Sequence, residues 1–105
     1  MNVAFRADGG LDIGTGHIMR CLTLATEFAA RGHAVRFLCR ALPGAPLALI
    51  EQQGFALCRL PSTLDSQQDA ELCAAELGRQ PGGLLIVDSY PLDATWEHAI
   101  RGQVQ

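Results

Sequence analysis

Apolar and polar positions follow two alternating periods along the chain. Val3 to Ala7 is a short apolar run of β type. A glycine-rich stretch follows, Asp8-Gly9-Gly10-Leu11-Asp12-Ile13-Gly14-Thr15-Gly16. From His17 the period becomes helical: Ile18, Cys21, Leu22, Ala25, Phe28 and Ala29 fall at i, i+3, i+4, i+7 spacing. Thr15 suits the N-cap of this helix, and Gly32 suits the glycine that closes it.

The alternation continues to the end of the chain. Ala34 to Cys39 reads as a second strand, Pro43-Gly44-Ala45-Pro46 as a turn, and Leu47 to Gln53 as a short helix stopped by Gly54. Phe55 to Leu60 reads as a third strand, ended by Pro61. Ser66 to Arg79 is predicted helical, with Ala70, Leu72, Cys73 and Leu77 on its buried side. After Pro81-Gly82-Gly83, the run Leu84-Leu85-Ile86-Val87 ends in Asp88 and has the continuous apolar character of a central parallel strand. Asp93 is placed to cap a last helix running through Ile100.

Strand and helix thus alternate four times, which predicts an α/β fold: a doubly wound, Rossmann-like parallel sheet with helices on both faces. Right-handed crossovers turn chain order 1-2-3-4 into spatial order 3-2-1-4. Strands 1 and 4 then adjoin at the switch point, and a crevice opens beyond their C-terminal ends. The loops that border it are Arg6 to Gly16 and Asp88-Ser89-Tyr90-Pro91. The chain stops at Gln105, where an α/β unit usually returns another strand, so residues 1–105 read as one N-terminal domain lacking its last elements.

Composition narrows the chemistry. At 105 residues, 49% hydrophobic and 18% charged, the chain suits one core-forming domain. A net charge of −3 offers no electrostatic footprint for nucleic acid or an acidic membrane. No apolar run approaches the about 20 residues of a membrane span, and Met1 to Asp8 lacks the pattern of a signal peptide. All eight basic residues are arginine, which excludes a Schiff-base lysine and a P-loop within these residues. Cys21, Cys39, Cys58 and Cys73 form no C-x-x-C pair. They read as small buried hydrophobes in a reducing cytoplasm, with no metal site and no cofactor expected.

The candidate chemistry gathers around the glycine loop. Gly14-Thr15-Gly16 allows a ligand close to the backbone and presents N–H groups at a helix start; the same glycines also suit a plain strand-to-helix turn. A dinucleotide fingerprint fails, because Met19 stands three residues past Gly16 and no acid ends the second strand. His17 lies in the first helical turn, where the helix dipole disfavours an imidazolium, and a neutral imidazole can act as a general base. Arg20, one turn on, could contact a substrate anion. Asp8, Asp12 and Asp88 are the nearby carboxylates; any could orient His17 or bond sugar hydroxyls, and Asp8 with Asp88 could form a carboxylate pair. Tyr90 suits either ligand stacking or cover for the sheet edge. His33 reads as a strand-entry residue and His98 as surface.

These residues carry a resemblance. The run from Phe5 to Ala25 resembles the opening signature of the pseudaminic-acid-pathway UDP-sugar hydrolases: F-R-x-D, a short loop, then I-G-x-G-H-x-x-R-x-L-x-L-A. Val87 to Glu97 is similar to a second block, D-x-Y-x-L-D followed by W-E, and departs from it at Ser89, where members often carry His. The resemblance implies a two-domain GT-B architecture and metal-free hydrolysis of UDP-2,4-diacetamido-2,4,6-trideoxy-β-L-altropyranose. In that reaction water attacks the anomeric carbon with inversion. It also implies a catalytic role for His17, a substrate-binding role for Gly14, Gly16 and Tyr90, support from Arg6 and Asp8, and a uridine site in a C-terminal domain of the same protein. The expected partner is therefore a UDP-sugar, with neither nucleic acid nor membrane. Two other readings stay open: the acceptor-binding domain of a GT-B glycosyltransferase, and a non-catalytic sugar-binding module.

Overall fold

The computed structural model describes residues 1–79, 83–88 and Trp96. Its elements are β1 (Asn2–Ala7), α1 (Gly16–Ala30), β2 (Ala34–Arg40), α2 (Leu47–Gln52), β3 (Ala56–Leu60), α3 (Ser66–Gly78) and β4 (Gly83–Asp88). The strands form one all-parallel sheet in the order β3-β2-β1-β4. The expected α/β class and strand order are both found. The expected helix from Asp93 to Ile100 lies outside the described residues apart from Trp96, as do Ser89, Tyr90 and His98.

The pleat distributes side chains between two helical layers. Val3, Phe5 and Ala7 of β1 face α1 and α2, in a core with Ile18, Cys21, Leu22, Ala25, Phe37, Cys39, Leu47 and Ile50. Phe5 and Phe37 are register partners and stack with centroids 5.0 Å apart. Ala4 and Leu38 face the other way, onto a second core containing Leu60, Ala70, Cys73 and Trp96. Helices thus cover both faces, as a parallel sheet with near-continuous apolar strands requires.

Three details differ from expectation. Leu72 is 40% exposed, because α3 turns Asp69, Ala70 and Cys73 inward and Leu72 falls outside that stripe. Thr15 does occupy the N-cap of α1, yet its side chain makes no capping hydrogen bond. Cys58 is only half-buried, whereas the other three cysteines are buried. All four thiols are free and raised above their usual titration range, chiefly by burial: Cys21 to about 11 and Cys39 to about 12. They behave as small hydrophobes in the core.

Candidate functional site

The loop leaving β1 is tied in two places. Gly10 and Gly14 exchange backbone hydrogen bonds of 3.0 and 2.8 Å, which closes Leu11-Asp12-Ile13 into a tight protrusion. Gly14 makes this possible with φ of +76°, a conformation that a side chain disfavours. The Leu11 amide donates to the Pro43 carbonyl at 2.9 Å, docking the protrusion onto the loop after β2. Asp12 to Gly16 remain exposed, and α1 begins at Gly16.

His17 and the end of β4 meet across this opening. Ala7 and Asp88 are register partners, so Asp88 emerges on the α1 face of the sheet. His17, Arg20 and Cys21 stand at i, i+3 and i+4 on α1, on the side turned toward Asp88. His17 Nδ1 lies 2.5 Å from Asp88 Oδ1, and Arg20 Nη2 lies 3.0 Å from His17 Nδ1 and 3.4 Å from Asp88 Oδ2. The His17 and Asp88 side chains each retain 28% of their exposure, so the pair is sheltered yet open to solvent. Arg20 reaches outward, 65% exposed. The Cys21 thiol sits 4.0 Å from Asp88 Oδ2; burial, then the negative charge of Asp88, keeps it protonated.

Arg6 and Asp8 occupy a different place. Both were expected to support a ligand, but Arg6 is fully buried and points to the α3 face of the sheet. Its Nε and Nη2 donate to the two carboxylate oxygens of Asp69, at 3.0 and 2.5 Å, and its Nη1 donates to Asp8 Oδ1 at 2.9 Å. Arg40 Nε adds a bond of 2.9 Å to Asp69, and the Arg40 amide donates to Asp8 Oδ1 at 2.8 Å. The Trp96 indole N–H also donates to Asp69, at 2.8 Å. Two guanidinium groups therefore balance two carboxylates inside the domain, as buried charges need. Burial opposes the charge on Arg6, but its hydrogen bonds with Asp69 and Asp8 reverse that effect and raise its pKa further. Burial likewise opposes ionisation of Asp69; its bonds with Arg6, then Arg40 and Trp96, outweigh this and hold it at about 2.

The residues named from sequence thus divide into two groups. His17 and Arg20 meet Asp88 at the start of α1, and Gly14 and Gly16 lie exposed where the β1 loop leads into that helix. Arg6 and Asp8 belong to the interior network, which removes Asp8 from any carboxylate pair with Asp88: each has its own cationic partner. Tyr90 lies outside the described residues. His33 stands at the entry to β2, half-buried with its ring against Phe28. Sequence reasoning missed Asp69 altogether. Its one available signal was an acid at the fourth position of a helix whose buried stripe includes the adjacent Ala70.

Among the described residues, no group of three or more His, Cys, Asp or Glu is arranged to hold a metal ion, and no helix is long and apolar enough to cross a membrane. The fold and the His17–Asp88 opening define a Rossmann-like α/β domain with a polar cluster at its topological switch point. No protein-family model matches the chain, and no curated protein matches it in sequence.

Proposed function

We propose that the chain is the N-terminal domain of a nucleotide-sugar hydrolase that acts on a UDP-activated 2,4-diacetamido-2,4,6-trideoxyhexose. The single observation that carries the reading is the setting of His17. It is half-exposed in the first turn of α1, beside the open Gly14–Gly16 backbone and the end of β4. That is where doubly wound sheets bind ligands. The two-block resemblance supplies the substrate class, which the geometry alone does not specify.

In this reading His17 takes a proton from water as the water oxygen attacks the anomeric carbon. The bond from that carbon to the β-phosphate oxygen breaks, and UDP leaves with the electron pair. The products are UDP and the free sugar, and His17 returns its proton to solvent. Arg20 stands beside the histidine as the cation available to an anionic part of the substrate. The Gly14 and Gly16 backbone adjoins the sugar, and the resemblance implies a substrate-binding role for Tyr90 and a uridine site in a C-terminal domain of the same protein.

The test is UDP release by the protein as its own cell makes it, supplied with the UDP-sugar and no acceptor. Release of UDP with free sugar is expected, and His17→Ala should lower it by about 10²–10⁴-fold. Near-normal release by His17→Ala would reject the base assignment. UDP release that requires an added acceptor would make the protein a glycosyltransferase instead, and sugar binding without product would make it a binding module.

A further inference from the structure

The geometry points to Asp88 as a positioning residue that dictates which nitrogen of His17 is free to accept a proton. The inference rests on the reading of His17 as a base, but it concerns one proton on one ring and can be checked without substrate.

His17 Nδ1 has two neighbours, Asp88 Oδ1 at 2.5 Å and Arg20 Nη2 at 3.0 Å. A neutral imidazole has one nitrogen that donates and one that accepts; an ionised carboxylate only accepts, and a guanidinium only donates. If Nδ1 were bare, it could accept from Arg20, but it would then face the Asp88 oxygen with no hydrogen between two acceptors. If Nδ1 carries the hydrogen, it donates to Asp88 Oδ1, and Arg20 donates to the other oxygen, Oδ2, at 3.4 Å. Cys21 adds its weak S–H to that same oxygen, 4.0 Å away. Only the second arrangement places a hydrogen between Nδ1 and Asp88 Oδ1, so that no two acceptors face each other. It puts the hydrogen on Nδ1 and leaves the lone pair on Nε2 to take a proton from water.

Arg20 then has a second part. Its charge compensates Asp88, and its Nη2 helps fix the carboxylate plane while the rest of the guanidinium stays exposed. Among the described residues, Arg20 Nε and Nη1 make no hydrogen bond, so they remain available to an anion near the attacked carbon. The three side chains come from two elements, α1 and β4. Their meeting depends on the adjacency of β1 and β4 that brings Asp88 over the first turn of α1.

Nitrogen-15 NMR of the histidine rings, above the ordinary titration range of imidazole, reads the tautomer directly. In the unmodified chain His17 should show a protonated Nδ1 and a bare Nε2. Asp88→Asn presents an amide that can donate where the carboxylate accepted, so the hydrogen should move to Nε2. UDP release should then fall by about 10²–10⁴-fold, mostly in kcat and little in KM. A His17 ring that carries its hydrogen on Nε2 in the unmodified chain would overturn the inference, and so would an unchanged tautomer in a folded Asp88→Asn chain. Should that variant fail to fold, the unmodified chain still decides. If the tautomer is as stated but no UDP is released, the hydrolase reading fails and the pairing stands; the reverse pair of results rejects the pairing alone.

Discussion

At the scale of the residue, Asp69 links the most distant parts of the domain. It accepts hydrogen bonds from Arg6 of β1, Arg40 of β2 and Trp96, and from the Cys73 thiol one turn along its own helix. Its folded-state pKa of about 2 lies below its ordinary value of 3.8. A depressed carboxylate contributes stability that is complete above the ordinary value and disappears as pH falls through the folded one. The contribution is on the order of 2 kcal/mol, lost between about pH 4 and pH 2. Urea unfolding at a series of pH values should show this loss. Asp69→Asn should be less stable at neutral pH, because Arg6 is left buried with one fewer carboxylate, and its stability should depend less on pH below 4. An acid limb identical in the two proteins would show that another carboxylate is responsible.

This hub was illegible in the sequence for a physical reason. An acid in the first turn of a helix ordinarily caps or faces water, and Asp69 sits one turn after Asp65, which does cap α3 through a reciprocal box with Gln68. Nothing in local spacing reveals that Arg6, 63 residues earlier, lies opposite it. The same blindness hides the buried partners of Arg6 and Asp8. A charged pair at a strand end reads as functional when it stands alone, and as structural once its partners from β2 and α3 are known. His17 stands out as a candidate because its signal is local: an ionisable side chain directly after a glycine loop, at a change from strand to helix period.

At the scale of the element, the loops at the site end differ in how they hold shape. Gly14 and Gly44 both have φ of +76°. A Cβ at Gly14 would meet nothing within 4 Å, so Gly14→Ala should incur only the backbone penalty, about 1 kcal/mol. A Cβ at Gly44 would lie 2.7 Å from Leu11 Cγ and 3.0 Å from the Leu11 amide nitrogen. Gly44→Ala must therefore also push the β1 protrusion away from the loop after β2, and break or lengthen the bond from Leu11 to Pro43. Thermal melts should rank Gly44→Ala below Gly14→Ala, and equal melting temperatures would mean that the two loops are not packed together. β1 and β2 were legible because inner strands of a parallel sheet covered on both faces are mostly apolar, whereas β4, expected to be a central strand, lies at the edge of the sheet among the described residues, with Leu84 and Val87 exposed. α3 was harder to read. Its inward stripe includes a charged residue, so apolar spacing alone wrongly recruited Leu72.

At the scale of the whole molecule, the two helical layers meet the sheet by different means. The α1 and α2 side is apolar and stacked, with Phe5 against Phe37 and Phe28. The α3 side combines a smaller apolar cluster with the Arg6–Asp69–Arg40–Asp8 network, and Trp96 belongs to both. Trp96 is the only tryptophan, 1% exposed, so its emission reports the α3 layer alone, whereas far-UV circular dichroism reports all the helices. If β1 and β2, which lie in the middle of the sheet and touch both layers, couple them into one cooperative unit, the two signals should follow a single urea transition. Asp69→Asn should then move both to lower urea together, because weakening one layer weakens the sheet shared with the other. A tryptophan shift that precedes the loss of helix would instead mean that the α3 layer opens on its own. The network would then be a local fastening, and the acid loss argued for Asp69 would appear in the tryptophan signal without a matching loss of α1.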